Sequence, residues 1–126
     1  MKRAVSRIGF ATVWISISEF VRNQLLFVAY WRDHYTSLGI SFPETPIHGA
    51  VWGLWSLTFA IVIYVISQKF SFKETAVLGW IFGFVMMWLV IGNLGVLPYG
   101  LLWFAIPLSI LEVVVATFIV TRPQSK

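Results

Sequence analysis

The sequence predicts an all-α membrane protein, a four-transmembrane-helix antiparallel bundle with both termini cytoplasmic. Three observations predict it. First, the 126 residues are 59% hydrophobic and 11% charged, with a mean hydropathy of +0.84. An ordinary soluble domain carries roughly 25% charged residues, and a soluble fold of this length has too little polar sequence to cover so much apolar surface. Lipid solvates such a surface instead. Second, four apolar segments follow one another, each of about 19 to 24 residues, close to the ~20 that cross a hydrocarbon core as a helix. Third, the basic residues sit at the ends of these segments, as the positive-inside pattern requires.

The first segment runs from Ile8 to Trp31. A basic start gives it the look of a signal peptide. It is too long for one, it contains Glu19 and Arg22, and no small-residue cleavage site follows, so it reads as a true span. The second segment, 48–67, follows RDHYTSLGISFPETPI, a connection broken by Gly39, Pro43 and Pro46. The third, 74–92, follows the short basic stretch QKFSFK. The fourth, 100–121, follows GNLGVLPYG, a tight turn in which Asn93 is expected to serve, and it contains Pro107. That proline removes a hydrogen bond to the carbonyl of Trp103 and favours a bend. The segments are too long for membrane strands and lack their alternation. Together they form a single integral membrane domain over 1–126.

Short connections make neighbouring helices antiparallel. Lys2, Arg3, Arg7, Lys69, Lys73, Arg122 and Lys126 then fall on one side, the cytoplasmic side of a bacterial inner (plasma) membrane. The outer side holds Arg32 beside Asp33. Tyr30, Trp31, Tyr35, Trp52 and Tyr99 are placed at the outer interface as an aromatic belt. A pI near 9.8 does not imply nucleic acid here, because the basic residues do not line one face. The expected partners are the lipid bilayer and either a second copy of the chain or a larger membrane protein. Small residues mark close helix contacts in lipid. Gly49, Gly53, Ser56 and Ala60 form one such row, and Gly79 and Gly83 form a second. Intramolecular packing and a homodimer interface are both open to them.

The stretch SEFVRNQ, 18–24, places charge inside an apolar span. On a helix turning about 100° per residue with Glu19 at zero, Thr12, Ser16, Asn23 and Tyr30 fall between about 20° and 60°, with Arg22 at about −60°. Such a stripe faces a bundle interior. Glu19 and Glu112 lie near the middle of their spans, at similar depth. A bare charge there costs on the order of 3 kcal/mol even on the lenient insertion scale. Pairing with Arg22 offsets it, since arginine keeps its proton and offers a fork of donors. Two carboxyls and one guanidinium leave one negative charge over, so the expectation is one ion pair and one protonated carboxyl. Spacing favours Glu19 as the partner of Arg22 and Glu112 as the protonated group.

The candidate site is therefore Glu19, Arg22, Asn23 and Glu112, with Ser16 and Ser109 in support. Three readings follow. The cluster is a structural clamp joining spans one and four, as in an accessory subunit of a membrane complex. Or it is a proton-titrating, transporter-like site. Or it binds or transforms a substrate, as in a membrane enzyme. The chain has no cysteine, which excludes disulfides and thiolate chemistry. Asp33, His34, Glu44 and His48 match no compact metal motif, and there is no nucleotide loop, nucleophile elbow or HExxH. No metal or cofactor is expected.

In size, span count and a carboxylate in span one, the chain superficially resembles the small multidrug resistance transporters. It departs from them in a longer outer loop, in Arg22 one turn after Glu19, and in lacking that family's motif around the glutamate. The stretch from WIFGFVMMW through LPYGLLWFAIPLSILEVVV, with LLFVAYW followed by HYTSLG, is similar to an uncharacterised bacterial family of four-helix integral membrane proteins. That resemblance covers about half of the chain. It implies a four-span bundle and supplies no activity.

Overall fold

A computed structural model describes residues 2–43 and 45–121. Among the described residues there are helices and no strand. α1 spans Lys2–Phe20 and runs on as a π-helical turn over Val21–Leu26. α2 follows over Val28–Ser37, α3 over Pro46–Ser67 and α4 over Phe72–Trp80. A second π-helical segment, Ile81–Val85, joins α4 to α5, Met86–Asn93. A 3₁₀ turn at Tyr99–Leu101 leads into α6, Leu102–Thr121. Four of the resulting rods are long and apolar enough to cross a membrane: Lys2–Leu26, Pro46–Ser67, Phe72–Asn93 and Tyr99–Thr121.

Local sequence explains most of the boundaries. Pro46 stands in the first turn of α3, where its missing N–H costs nothing. Ser71 caps α4 by accepting from the Glu74 N–H, and the Glu74 carboxylate accepts from the Ser71 N–H in return. Span three thus begins two residues before the expected Glu74. The turn after α5 is closed by backbone. Gly95 takes a φ of 78°, and the N–H of Val96 reaches the Ile91 carbonyl at 3.0 Å, the glycine-dependent ending that side chains with a Cβ disfavour. Asn93, expected to serve this turn, makes no side-chain bond in it. α6 runs through Pro107 as one helix.

The first span departs most from expectation. Instead of one rod from Ile8 to Trp31, the helix breaks at Phe27, whose φ of −123° and ψ of 16° are not helical. α2 then continues into the connection expected to be loop. His34 Nε2 lies 2.7 Å from the Gly95 carbonyl, tying the end of α2 to the turn before α6. A mid-span π turn adds a residue to one turn and shifts every later side chain around the axis. Tyr30 leaves the polar stripe for this reason. It is 39% exposed and packs against Phe27 and Phe104.

α1 packs on α3 and α6, and α4 packs on α3 and α6. The shared core holds Ala11, Ile15, Phe59, Ala60, Ile63, Phe84, Val113, Ala116 and Val120. Phe10, Val13, Leu54, Val65, Leu89 and Phe118 point outward and are exposed, the surface that lipid would cover. Arg7 Nη1 donates to the Val120 carbonyl at 3.3 Å, joining the start of α1 to the end of α6. The glycines divide into two sets. A Cβ on Gly79 would meet Val113 at 3.3 Å, and one on Gly83 would overlap the Phe59 ring. Both glycines therefore serve packing within the chain. Gly49 and Gly53 have nothing within 4 Å of a Cβ position. Arg122, Lys126 and Glu44 lie outside the described residues.

Candidate functional site

The cluster foreseen around SEFVRNQ is assembled. Glu19 ends α1, Arg22 and Asn23 sit in the π turn, and Glu112 comes from the middle of α6. Glu19 is 4% exposed, Arg22 5% and Glu112 0%. Arg22 Nη2 lies 2.6 Å from Glu19 Oε2. Its other terminal nitrogen, Nη1, lies 3.5 Å from Glu112 Oε1 without forming a hydrogen bond. Asn23 Nδ2 donates to Glu19 Oε2 at 2.9 Å. Glu19 Oε1, Arg22 Nη1 and both carboxyl oxygens of Glu112 are buried with no hydrogen-bond partner.

The two supporting serines part company with the cluster. Ser109 is fully buried but accepts from Trp80 Nε1 and donates to the Ile106 carbonyl, each at 2.9 Å. It holds α4 to α6 and leaves Glu112 alone. Ser16 is half-buried and lines a neighbouring cavity. Thr12 bonds back to the Ile8 carbonyl of its own helix, the usual end for a helical threonine hydroxyl.

Residues that sequence reasoning missed complete the site. Phe84, in the second π segment, lies under Arg22 with its ring centre 5.1 Å from Cζ. A residue of one π turn, Arg22, thus rests on a residue of the other, Phe84, and π turns within α-helices recur at functional sites. Trp31, assigned to the aromatic belt, donates from Nε1 to Asn23 Oδ1 at 3.1 Å. Its ring also stacks on Phe42 in the connection, centroids 6.0 Å apart. A continuous line runs from Phe42 through Trp31 and Asn23 to Glu19 and Arg22.

A cavity of about 330 Å³ opens above the pair. Glu19 and Arg22 lie at its polar end, and Trp31, Trp52, Trp55 and Trp88 are among its walls. A second cavity of about 520 Å³ lies between α1 and the first turns of α3, bordered by Ser16, Glu19, Gly49 and Gly53. Both reach Glu19, Asn23, Gln24 and His48. No known protein family, curated protein or solved structure matches this chain. The site must accordingly be read from its own chemistry.

Among the described residues, no three metal-ligating side chains come together. His34 is engaged with Gly95 and Asp33 is exposed. Chemically, the site offers one tight ion pair, one carboxyl without donors, and an aromatic chamber leading to them.

Proposed function

We propose that this is a small multi-pass membrane protein carrying a transporter-like, proton-exchanging site, in which Glu112 holds the proton and Arg22 is shared between two carboxyls. One observation carries the reading: Glu112 is fully buried, and neither of its oxygens has a hydrogen-bond partner. With only Arg22 Nη1 to offset it, at 3.5 Å, a charged carboxylate in that position costs more than a neutral carboxyl. Arg22 already answers Glu19, so proton loss from Glu112 would draw the guanidinium away from Glu19 toward α6. Proton occupancy would thereby change the polar end of the cavity.

The clamp reading has less support. The 2.6 Å contact joins Arg22 to a residue on its own rod, and the contact that crosses to α6, Arg22 Nη1 to Glu112 Oε1, is the longer one at 3.5 Å. α1 is tied to α6 by Trp14, whose Nε1 donates to the Glu112 carbonyl at 2.9 Å. The antiparallel arrangement belongs to the same proposal, supported by the Arg7–Val120 contact and by short connections. So does the placement of both termini on the cytoplasmic side of a bacterial inner membrane, supported by the basic residues at span ends.

Dicyclohexylcarbodiimide, a lipid-soluble reagent that adds to protonated carboxyls, tests this reading. Mass spectrometry should locate the adduct on Glu112, with labelling that slows as pH rises. Absence of any Glu112 adduct at acidic and alkaline pH alike would return the cluster to a structural role.

A further inference from the structure

The tryptophans divide by what their N–H groups do. Away from the smaller cavity, Trp14 and Trp80 donate to the Glu112 carbonyl and to Ser109 Oγ. At its edge, Trp31 donates to Asn23. Trp55 and Trp88 are half-buried like these three, line the cavity, and make no hydrogen bond among the described residues. An indole N–H is a donor only, and those of Trp55 and Trp88 lie at accessible surface, open to an acceptor from a bound molecule. Tyr35, also half-buried in the wall, likewise leaves its hydroxyl unused.

Neighbouring rings hold these walls in place. Trp55 packs on Phe59 and Phe84 with centroids 5.0 and 6.0 Å apart. Trp88 packs on Phe84 at 5.8 Å and on Trp80 at 6.1 Å. Phe84 also underlies Arg22, so the two donor-bearing walls and the ion pair share one support. The chamber is therefore aromatic along these walls, polar at Glu19, Arg22, Asn23, Gln24 and His48, and supplied with indole donors that lack acceptors. It does not present a lone charge, because Arg22 and Glu19 answer each other at 2.6 Å. Neither a cation nor an anion gains an unopposed counter-charge there.

We infer that this cavity binds a neutral, flat, lipid-soluble compound bearing carbonyl acceptors, of the quinone class, with its ring between the Trp55 and Trp88 walls and its oxygens accepting from their N–H groups. Its volume, about 330 Å³, lies at the lower end of the range for small-molecule sites, which suits one ring and part of a tail. The inference stands whether or not Glu112 exchanges a proton, since Glu112 does not line the cavity.

Calorimetric titration of the whole protein in detergent tests it with three probes: a decyl-substituted benzoquinone, decylbenzene and tetraphenylphosphonium. The benzoquinone should bind saturably and about tenfold or more tighter than decylbenzene, which has the ring and tail without the carbonyls. Trp55→Phe and Trp88→Phe keep a ring in each wall and remove only the donor. Each should weaken benzoquinone binding by roughly three- to tenfold and leave decylbenzene unchanged. Equal affinity for decylbenzene would overturn the inference in favour of an unselective apolar pocket. Tighter binding of tetraphenylphosphonium would overturn it in favour of a cation cage. Saturable binding of none of the three would show that the cavity is no binding site.

Discussion

Arg22 grips Glu19, three residues earlier on the same rod, with Nη2 2.6 Å from Oε2. It faces Glu112 across the bundle only at 3.5 Å. In the proposed reading, the shorter contact marks Glu19 as the charged partner of Arg22. Residues three apart on a helix are neighbours, so Glu19 reaches Arg22 without help from another rod. Glu112 shares the same cation at the longer distance.

Arg22→Ala should strongly destabilise the protein. It strands the Glu19 carboxylate in a buried place, at a cost of roughly 3–5 kcal/mol. Thermal or denaturant melts in detergent check this. A melt like that of the wild type would mean that water reaches the pair.

The two carboxyls should differ. Glu19→Gln removes the tight partner of Arg22 and should cost a similar amount, about 3 kcal/mol or more. On the proposed assignment, Glu112→Gln replaces a neutral group by a neutral group and should cost less than about 1 kcal/mol. Melts of the two variants side by side give the ordering. The reverse ordering would transfer the charge to Glu112.

The glycines make a paired prediction. Gly83→Ala drives a methyl group into the Phe59 ring and should cost about 1–3 kcal/mol as an overpacked contact. Gly53→Ala meets nothing within 4 Å and should leave monomer stability unchanged or raise it by up to about 1 kcal/mol. If the protein forms a homodimer, the Gly49/Gly53 face is the one left for it, and Gly53→Leu should abolish crosslinking between copies. Crosslinking that survives Gly53→Leu would exclude that face.

Topology is tested by single cysteines, since the chain has none of its own. Ser37 ends α2 and Gln68 follows α3, and both are exposed. In intact cells an impermeant thiol reagent should label Ser37→Cys and leave Gln68→Cys untouched. Labelling of both would contradict the proposed orientation.

Much of this architecture is written in the chain at long range. Length, hydropathy and basic ends delimit the second, third and fourth spans to within two residues of the observed rods, while the first rod begins six residues and ends five residues before the expected bounds. The capping box at Ser71 and Glu74 was also legible, and reading it would have moved the start of span three to its observed place. Within the site, Glu19, Arg22, Asn23 and Glu112 come together because each is too polar for lipid at its depth. Ser109 does not join them, because its hydroxyl donates to the Ile106 carbonyl and accepts from the Trp80 N–H.

The π turns were not legible. Helical periodicity assumes a constant turn, and nothing in VRNQLL or IFGFV announces an extra residue. The first π turn, with the break at Phe27, displaced Tyr30 from the stripe. Phe84, an ordinary apolar residue by composition, gave no sign of its place beneath the guanidinium. The aromatic belt misled for a related reason. Tryptophan suits both an interface and a cavity wall, and only the partner of Trp31 Nε1 distinguishes the two roles.

The central claim, a proton held on Glu112 while Glu19 carries the charge, is tested most directly by infrared spectroscopy. At neutral pH the wild-type protein should show the C=O stretch of a protonated carboxyl in an apolar setting. That band should persist in Glu19→Asp, which keeps the charged group, and vanish in Glu112→Gln. A band that survives Glu112→Gln, or its absence from the wild type, would contradict the assignment.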